Sequence, residues 1–314
     1  MQVGGRFSRA AVAAAITLAA CGSASSPEPP APPAPTARLG AVFVADPAHR
    51  DLVLFGGRSR NGVLADTWLW AAGGWQRVTP GATPPARSFA GAAADGRGGV
   101  VLFGGDPSDP TGTHDDTWRW DGRHWTELRP RTVPDDGVFR TMASGPDGAP
   151  VLVVFEADRT VRTWTWRAGD WVQAAEPARP PWLDDAAPVP DRASGRMLLA
   201  GGIPEPGTRL DGTWAWDGRA WSELRTAHQP AGGPAVAADV AGGPLLFEQD
   251  GTWTWSGSDW TLAQPPGAPP WQAYSALAAI PGAGPGDLLA ILLTGAAGDP
   301  GQTWRWNGFG WTPS

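Results

Sequence analysis

Apolar positions in this chain recur at the two-residue period of a β-strand, and the pattern returns six times. Tryptophan carries it. Eighteen of the 20 tryptophans fall into one arrangement, Thr-Trp-x-Trp-x4-Trp. The copies are Thr67-Trp68-Trp70-Trp75, Thr117-Trp118-Trp120-Trp125, Thr163-Trp164-Trp166-Trp171, Thr213-Trp214-Trp216-Trp221, Thr252-Trp253-Trp255-Trp260 and Thr303-Trp304-Trp306-Trp311. The middle tryptophans stand at 70, 120, 166, 216, 255 and 306, so the steps are 50, 46, 50, 39 and 51 residues. A period of that length marks an array of similar supersecondary units.

Two indoles two residues apart share one face of a strand, whereas in a helix they diverge by about 200°. The four residues before the third Trp are turn formers, as in Asp121-Gly122-Arg123-His124, Asp217-Gly218-Arg219-Ala220 and Asn307-Gly308-Phe309-Gly310. Each copy therefore predicts a β-hairpin. A symmetric four-residue connection sets Trp120 opposite Trp125; a tighter turn on Asp121-Gly122 sets Trp118 opposite Trp125. Either register puts all three indoles on one face, and that much apolar area must meet another sheet.

Upstream of each hairpin lies a second pair of strand candidates. Leu52–Phe55, Val100–Phe103 and Met197–Ala200 are apolar runs, each followed by two glycines. Before them come small-residue segments such as Ser88 to Ala94, which suit an inner strand where sheets converge on an axis. Four strands per repeat and six repeats predict an all-β fold, a six-bladed β-propeller of four-stranded antiparallel blades. The blades run approximately 38–84, 85–134, 135–182, 183–230, 231–269 and 270–314. The array starts on an inner strand and ends on an outer one, so each blade is contiguous and closure rests on packing of blade 1 against blade 6.

The apolar run, Gly-Gly, variable loop and Asp-Thr-Trp-x-Trp hairpin resemble the kelch repeat of galactose-oxidase-like propellers. The likeness covers residues 38–314 and implies the fold far more than an activity, since such propellers host enzymes and binding modules alike. The double glycine is replaced by Glu156-Ala157 in repeat 3 and Glu248-Gln249 in repeat 5, and is partial around Gly295 in repeat 6. Those three blades are expected to be the less regular ones.

The amino terminus is different in kind. Arg6 and Arg9 precede an apolar stretch from Ala10 to Ala20, too short to span a bilayer, which ends Leu18-Ala19-Ala20-Cys21-Gly22. It resembles the lipobox of bacterial lipoproteins. That resemblance implies a signal peptide over 1–21, lipidation of Cys21, and anchorage to the outer face of the cytoplasmic membrane or to the outer membrane. Residues 22–37 read as a Ser/Pro/Ala-rich tether. Glycine and proline total 77 of the 314 residues (43 plus 34), a fraction that approaches low-complexity composition, but the tryptophan period assigns them to turns. Formal net charge is -7, or about -9 once Arg6 and Arg9 leave with the signal. With no basic run, nucleic acid is not an expected partner. A monomer is predicted.

Candidate chemistry is sparse. Relatives with copper-radical chemistry join a tyrosine to a cysteine; here Tyr274 is the sole tyrosine and Cys21 the sole cysteine, so that centre cannot be assembled. No cofactor is expected. His114-Asp115-Asp116 is the densest group of potential metal ligands, yet its spacing fits no established motif and Asp116 occupies the repeat's turn position. His114 and His228 are expected at the same end of the propeller, with His49 and His124 at the other. Trp182 and Trp271 fall outside the repeat pattern, in matching Pro-Pro-Trp contexts entering new blades. They either stack on a ligand or cap the blade interface beneath them. Asp135, Asp136, Asp184, Asp185 and Asp211 lie near that end. Trp182, Trp271, His114, Asp115, His228, Asp184 and Asp185 are the candidate ligand-binding residues, and no catalytic or metal-binding residue is assigned. The leading reading is an anchored module that binds an envelope protein or a glycan. A carbohydrate-active enzyme (epimerase, lyase or hydrolase) is the rival, and needs ionisable groups converging near the axis.

Overall fold

The computed structural model describes residues 34–106, 114–135, 137–175, 178–204, 212–230, 233–265, 267–272, 275–284, 287, 290–296 and 299–314. Cys21 and most of the tether, Asp136, Asp211 and Tyr274 lie outside them. The described residues form an all-β, six-bladed propeller. Each blade is a four-stranded antiparallel sheet taken from one contiguous stretch, in the order innermost to outermost. Blade 1 comprises Val42–Asp46, Asp51–Phe55, Thr67–Ala71 and Gly74–Val78. The innermost strands of the other blades are Gly91–Ala94, Phe139–Ser144, Ala187–Asp191, Val236–Val240 and Ala276–Ala279. Each lies beside the next and the last beside the first, closing a ring around the axis.

The hairpins adopt the symmetric register. Trp70 pairs with Trp75, Trp120 with Trp125, Trp166 with Trp171, Trp216 with Trp221, Trp255 with Trp260 and Trp306 with Trp311. In four blades the turn closes through a backbone bond of the type Asp121 N–H to His124 O. The three indoles of each hairpin face the preceding blade. Trp118, Trp120 and Trp125 of blade 2, for example, pack on Val42, Val53 and Phe55 of blade 1. The second strand is buried on both faces because its alternate residues serve different interfaces. Leu52 and Leu54 join the core between blades 6 and 1, whereas Val53 and Phe55 join the core between blades 1 and 2. Six such cores occupy the six interfaces. Burying one indole contributes on the order of 4–6 kcal/mol of transfer free energy before chain entropy opposes it.

A polar contact repeats with the indoles. The third Trp of each hairpin donates its Nε1–H to the Thr of the preceding blade. The pairs are Trp75–Thr303 at 2.8 Å, Trp125–Thr67 at 3.1 Å, Trp171–Thr117 at 3.1 Å, Trp221–Thr163 at 2.8 Å, Trp260–Thr213 at 2.7 Å and Trp311–Thr252 at 2.8 Å. All six hydroxyls are buried. This explains why threonine precedes Trp-x-Trp in every copy. The Trp75–Thr303 bond joins the last blade to the first. Beside it, the backbone of residues 35–37 runs along 299–301, with Ala37 N–H donating to Asp299 O and Gly301 N–H to Pro35 O.

The double glycines sit where one blade meets the segment entering the next. Gly56 and Gly57 both take positive φ, and a Cβ on Gly56 would lie 2.6 Å from the Arg87 carbonyl oxygen. Only glycine accepts that approach in that conformation. The expectation that blades 3, 5 and 6 are the less regular ones needs correction. All have four paired strands, and in blades 3 and 5 the pairing runs on through Phe155–Val161 and Glu248–Gly251. The physical reason is that two positive-φ glycines end a ladder and release a long loop, whereas the residues replacing them let the strands continue into a short turn.

Removing one threonine hydroxyl tests the interblade bond. Thr117→Val keeps the shape but leaves the buried Trp171 Nε1–H without an acceptor, and should cost about 1–3 kcal/mol in urea unfolding. Thr126→Val, on the exposed strand of the same blade, should stay within about 0.5 kcal/mol of the parent. Equal losses from the two variants would show that the buried bond contributes nothing specific.

Candidate functional site

Around the axis the innermost strands enclose two chambers. The upper one, about 220 Å³, opens among the segments that lead into the innermost strands. The lower one is about 130 Å³. Four aromatic residues line the upper chamber: Phe43, Phe89, Phe139 and Trp271, from blades 1, 2, 3 and 6. Among the described lining residues only Arg140 and Asp185 carry charge. Ser275 and Thr141 add hydroxyls. A concave, largely apolar site with a few polar groups is the usual form of a small-ligand pocket.

Asp185 stands out in three ways. Its backbone is left-handed, at φ 53°, although it is not glycine. Its carboxyl makes no hydrogen bond or ion pair among the described residues. Burial, aided by the neighbouring charge of Asp184, pushes its pKa up to about 6. Phe89 shares the left-handed backbone, at φ 56°, held by its N–H donating to Gly40 O at 2.7 Å. The other four non-glycine residues with positive φ, Arg50, Ala72, Arg159 and Ala168, lie in turns between strands. Asp185 likewise lies in the turn between Leu183–Asp184 and Ala187–Asp191, and with Phe89 it brings two of the six such residues to the chamber lining. Arg140 has its own partners: its guanidinium is 1% exposed and reaches Asp106 at 3.4 Å and the carbonyls of Phe89 and Gly137.

Of the two tryptophans outside the repeat pattern, Trp271 lines the chamber and also packs on the core between blades 5 and 6, resting on Phe247 at 5.5 Å between ring centres. Trp182 packs elsewhere. Its Nε1–H donates to Glu156 O at 3.1 Å, its ring meets Phe155 edge-on, and the Arg159 guanidinium covers it at 4.4 Å. It seals the interface of blades 3 and 4. Asp184 lies on a short strand, Leu183–Asp184, paired with Ile203–Pro204.

The histidines do not join the chamber lining. His114 is half-buried, with Nε2 3.3 Å from Ala86 O; burial and the Arg87 charge lower its pKa and keep it neutral. Asp115 is exposed. Asp116 is a structural ion-pair partner. Arg87 grips it with contacts of 2.5 and 2.8 Å, and the Trp118 indole donates to it at 2.6 Å. Burial alone would raise its pKa, but those donors more than offset it and the carboxyl lies below its ordinary value. Arg38, Asp66 and Trp68 repeat this arrangement in blade 1. His228, in the connection from blade 4 to blade 5, meets the outer hairpin turn of blade 5, with Nδ1 2.8 Å from Asp259, much as Thr132 meets Asp170 between blades 2 and 3. No three His, Cys, Asp or Glu side chains gather into a metal-binding group among the described residues.

The lower chamber holds one ion pair, Arg192 with Asp239 at 3.0 Å. Burial raises Asp239 to about 6 even though Arg192 opposes the shift. Sequence reasoning missed this pair and the three phenylalanines of the upper chamber. The phenylalanines sit on or beside innermost strands, where a large side chain departs from the small-residue pattern; that departure was the available signal. Comparison with protein-family models gives no match, and comparison with curated proteins gives none.

The raised pKa of Asp185 has a definite sign. The folded chain holds its proton to about pH 6, while an unfolded carboxylate releases it near roughly pH 4. The group therefore favours folding in acid, and that contribution is lost as pH rises through 6. Asn tolerates left-handed backbone. Asp185→Asn should raise the thermal midpoint at about pH 7.5 and lose most of that gain at about pH 4. An equal shift at both pH values would mean that the carboxylate is not penalised by burial.

Proposed function

We propose that this chain is an exported, lipid-anchored, kelch-type propeller that binds a glycan or an envelope protein at the loop end of its axis. The observation that carries the reading is the upper chamber. It combines aromatic walls with one uncommitted carboxylate at the end where the long loops and interblade connections gather. Support for kelch ancestry comes from the Gly-Gly runs after Phe55, Phe103 and Ala200 followed by the Trp-x-Trp hairpins. The lipobox-like Leu18-Ala19-Ala20-Cys21 supports export and anchorage. A binding module needs only a shaped, partly apolar patch. The enzyme reading needs ionisable groups converging near the axis; of the two in the described lining, Asp185 and Arg140, Arg140 is engaged with Asp106 and backbone carbonyls.

Two measurements test this. In pull-downs from envelope extract and on glycan arrays, Trp271→Ala should reduce capture several-fold, because the indole forms part of the chamber wall. Trp182→Ala should reduce it less, because that ring lies outside the chamber lining. Capture unchanged by Trp271→Ala would remove the chamber mouth from the binding surface. Separately, Cys21→Ser should move the protein from the membrane pellet to the soluble fraction and abolish incorporation of labelled fatty acid. Retention of label by that variant would end the lipoprotein reading.

A further inference from the structure

We propose that the upper axial chamber takes an ammonium group, seated against Asp185 and enclosed by the aromatic wall. This deepens the binding reading and rests on it for the location of the site. The chamber has a size suited to a small organic group, at about 220 Å³. Its two charged lining residues differ in what they offer a ligand. Arg140 is almost fully buried, and its guanidinium is already engaged with Asp106 and with backbone carbonyls, so it serves the wall. Asp185 is partly exposed to the chamber, and among the described residues its carboxyl has no hydrogen bond or ion pair. A carboxylate in that position attracts a cation.

The rings supply the second half of the recognition. Phe43, Phe89, Phe139 and Trp271 line the chamber from four different blades. Aromatic faces attract cations through their quadrupole, more strongly where water is excluded. A neutral or anionic guest gains little from these rings beyond apolar contact, and an anion would meet Asp185 unfavourably. The left-handed backbone at Asp185 and Phe89 fits the same picture, because both strained residues line the chamber.

Charge balance predicts a pH profile. Asp184, on its own segment, is the charge that acts on Asp185; Arg140 from blade 3 is the other charged group of the described lining, and the lining residues from blades 1, 2, 5 and 6 add no titratable group. A cation binds the ionised form of Asp185, so affinity should fall as acid protonates it; above that titration it should be steady for a quaternary ammonium and fall again for a primary one as the amine itself loses its proton.

The ammonium could be a small free cation or an amino group on a sugar, and paired probes separate these sources. Binding to the full chain is measured by calorimetry and ligand-observed NMR. One pair is choline and its uncharged isostere, with carbon in place of nitrogen. The other is glucosamine and N-acetylglucosamine. The charged member of at least one pair should bind at least tenfold more tightly than its neutral partner. Choline preference points to a small free cation, and glucosamine preference to an amino sugar. Asp185→Asn should abolish the preference while retaining or raising the thermal midpoint, which keeps folding separate from recognition. Binding should weaken toward tenfold per pH unit in acid. Three results would overturn the proposal: neutral partners that bind equally well, undiminished cation binding by Asp185→Asn, or no binding of either charged probe up to tens of millimolar. Pull-down of envelope material can fail while the charged probes bind, or succeed while they do not, so the two readings fail separately.

Discussion

One contact holds the ring together: the third indole of each hairpin, wedged against the preceding blade and tied to it by Nε1–H to a threonine hydroxyl. The indole fills the outer part of the interface, where radially arranged sheets diverge. Its N–H would be left buried and unpaired without a partner from the neighbouring blade. Threonine supplies that partner from the first position of the Thr-Trp-x-Trp strand, so one residue belongs to a β-ladder and to an interface at once. Ring closure needs no special device beyond this. Trp75 meets Thr303 just as the other five pairs meet, and the segment at 35–37 adds a backbone clasp.

The polar supports that do not repeat six times set the blades apart. Asp66 and Asp116 each accept from a buried arginine and from the first indole of the hairpin. In blades 3, 5 and 6 the residue before Thr is Arg162, Gly251 or Gln302, and the indoles of Trp164, Trp253 and Trp304 have no partner among the described residues. Each such orphan costs about 1–3 kcal/mol relative to a satisfied group. The same blades lack the intact double glycine. Blades 1 and 2 therefore combine an arginine–aspartate brace with long loops, while blades 3 and 5 have short turns. A six-fold core thus carries a rim without six-fold symmetry.

Much of this was legible because side-chain parity in strands is strict. The spacing of Trp118, Trp120 and Trp125 left two registers, both of which put the indoles on one face. What chose between them was the turn bond from Asp121 to His124, a local backbone matter that spacing cannot decide. The constant threonine was visible in all six copies, but its acceptor role needs the neighbouring blade. The arginine braces left a faint trace, since Arg38 and Arg87 precede Asp66 and Asp116 by nearly the same interval. Alternation of strand ends puts His228 in an interblade connection but does not reveal its partner. Twist swings the outer hairpin turn of blade 5 beside the exit from blade 4, and Asp259 meets the histidine there. Asp185 was one of several acids in a connecting segment. Its burial depends on walls drawn from six blades, and its backbone conformation has no sequence marker.

Asp185 also shows how the frame and the mouth divide their tasks. A carboxylate pushed up to about 6, on a left-handed backbone, opposes folding at neutral pH. It persists because six indole-filled cores over-determine the positions of the innermost strands, and a local penalty does not propagate through close-packed interfaces. Such a residue is hard to explain as a support. Asp239 is raised to a similar degree by burial but has Arg192 as its partner at 3.0 Å, and the bracing aspartates of blades 1 and 2 differ further. Asp66 and Asp116 are ringed by donors and held below their ordinary pKa. Donors stabilise the ionised form where an aspartate braces the fold. At the chamber that stabilisation is missing, and a cationic guest would supply it on binding. On the proposal of a cationic guest, the energy withheld from the folded state would be recovered in recognition, the usual trade between stability and function.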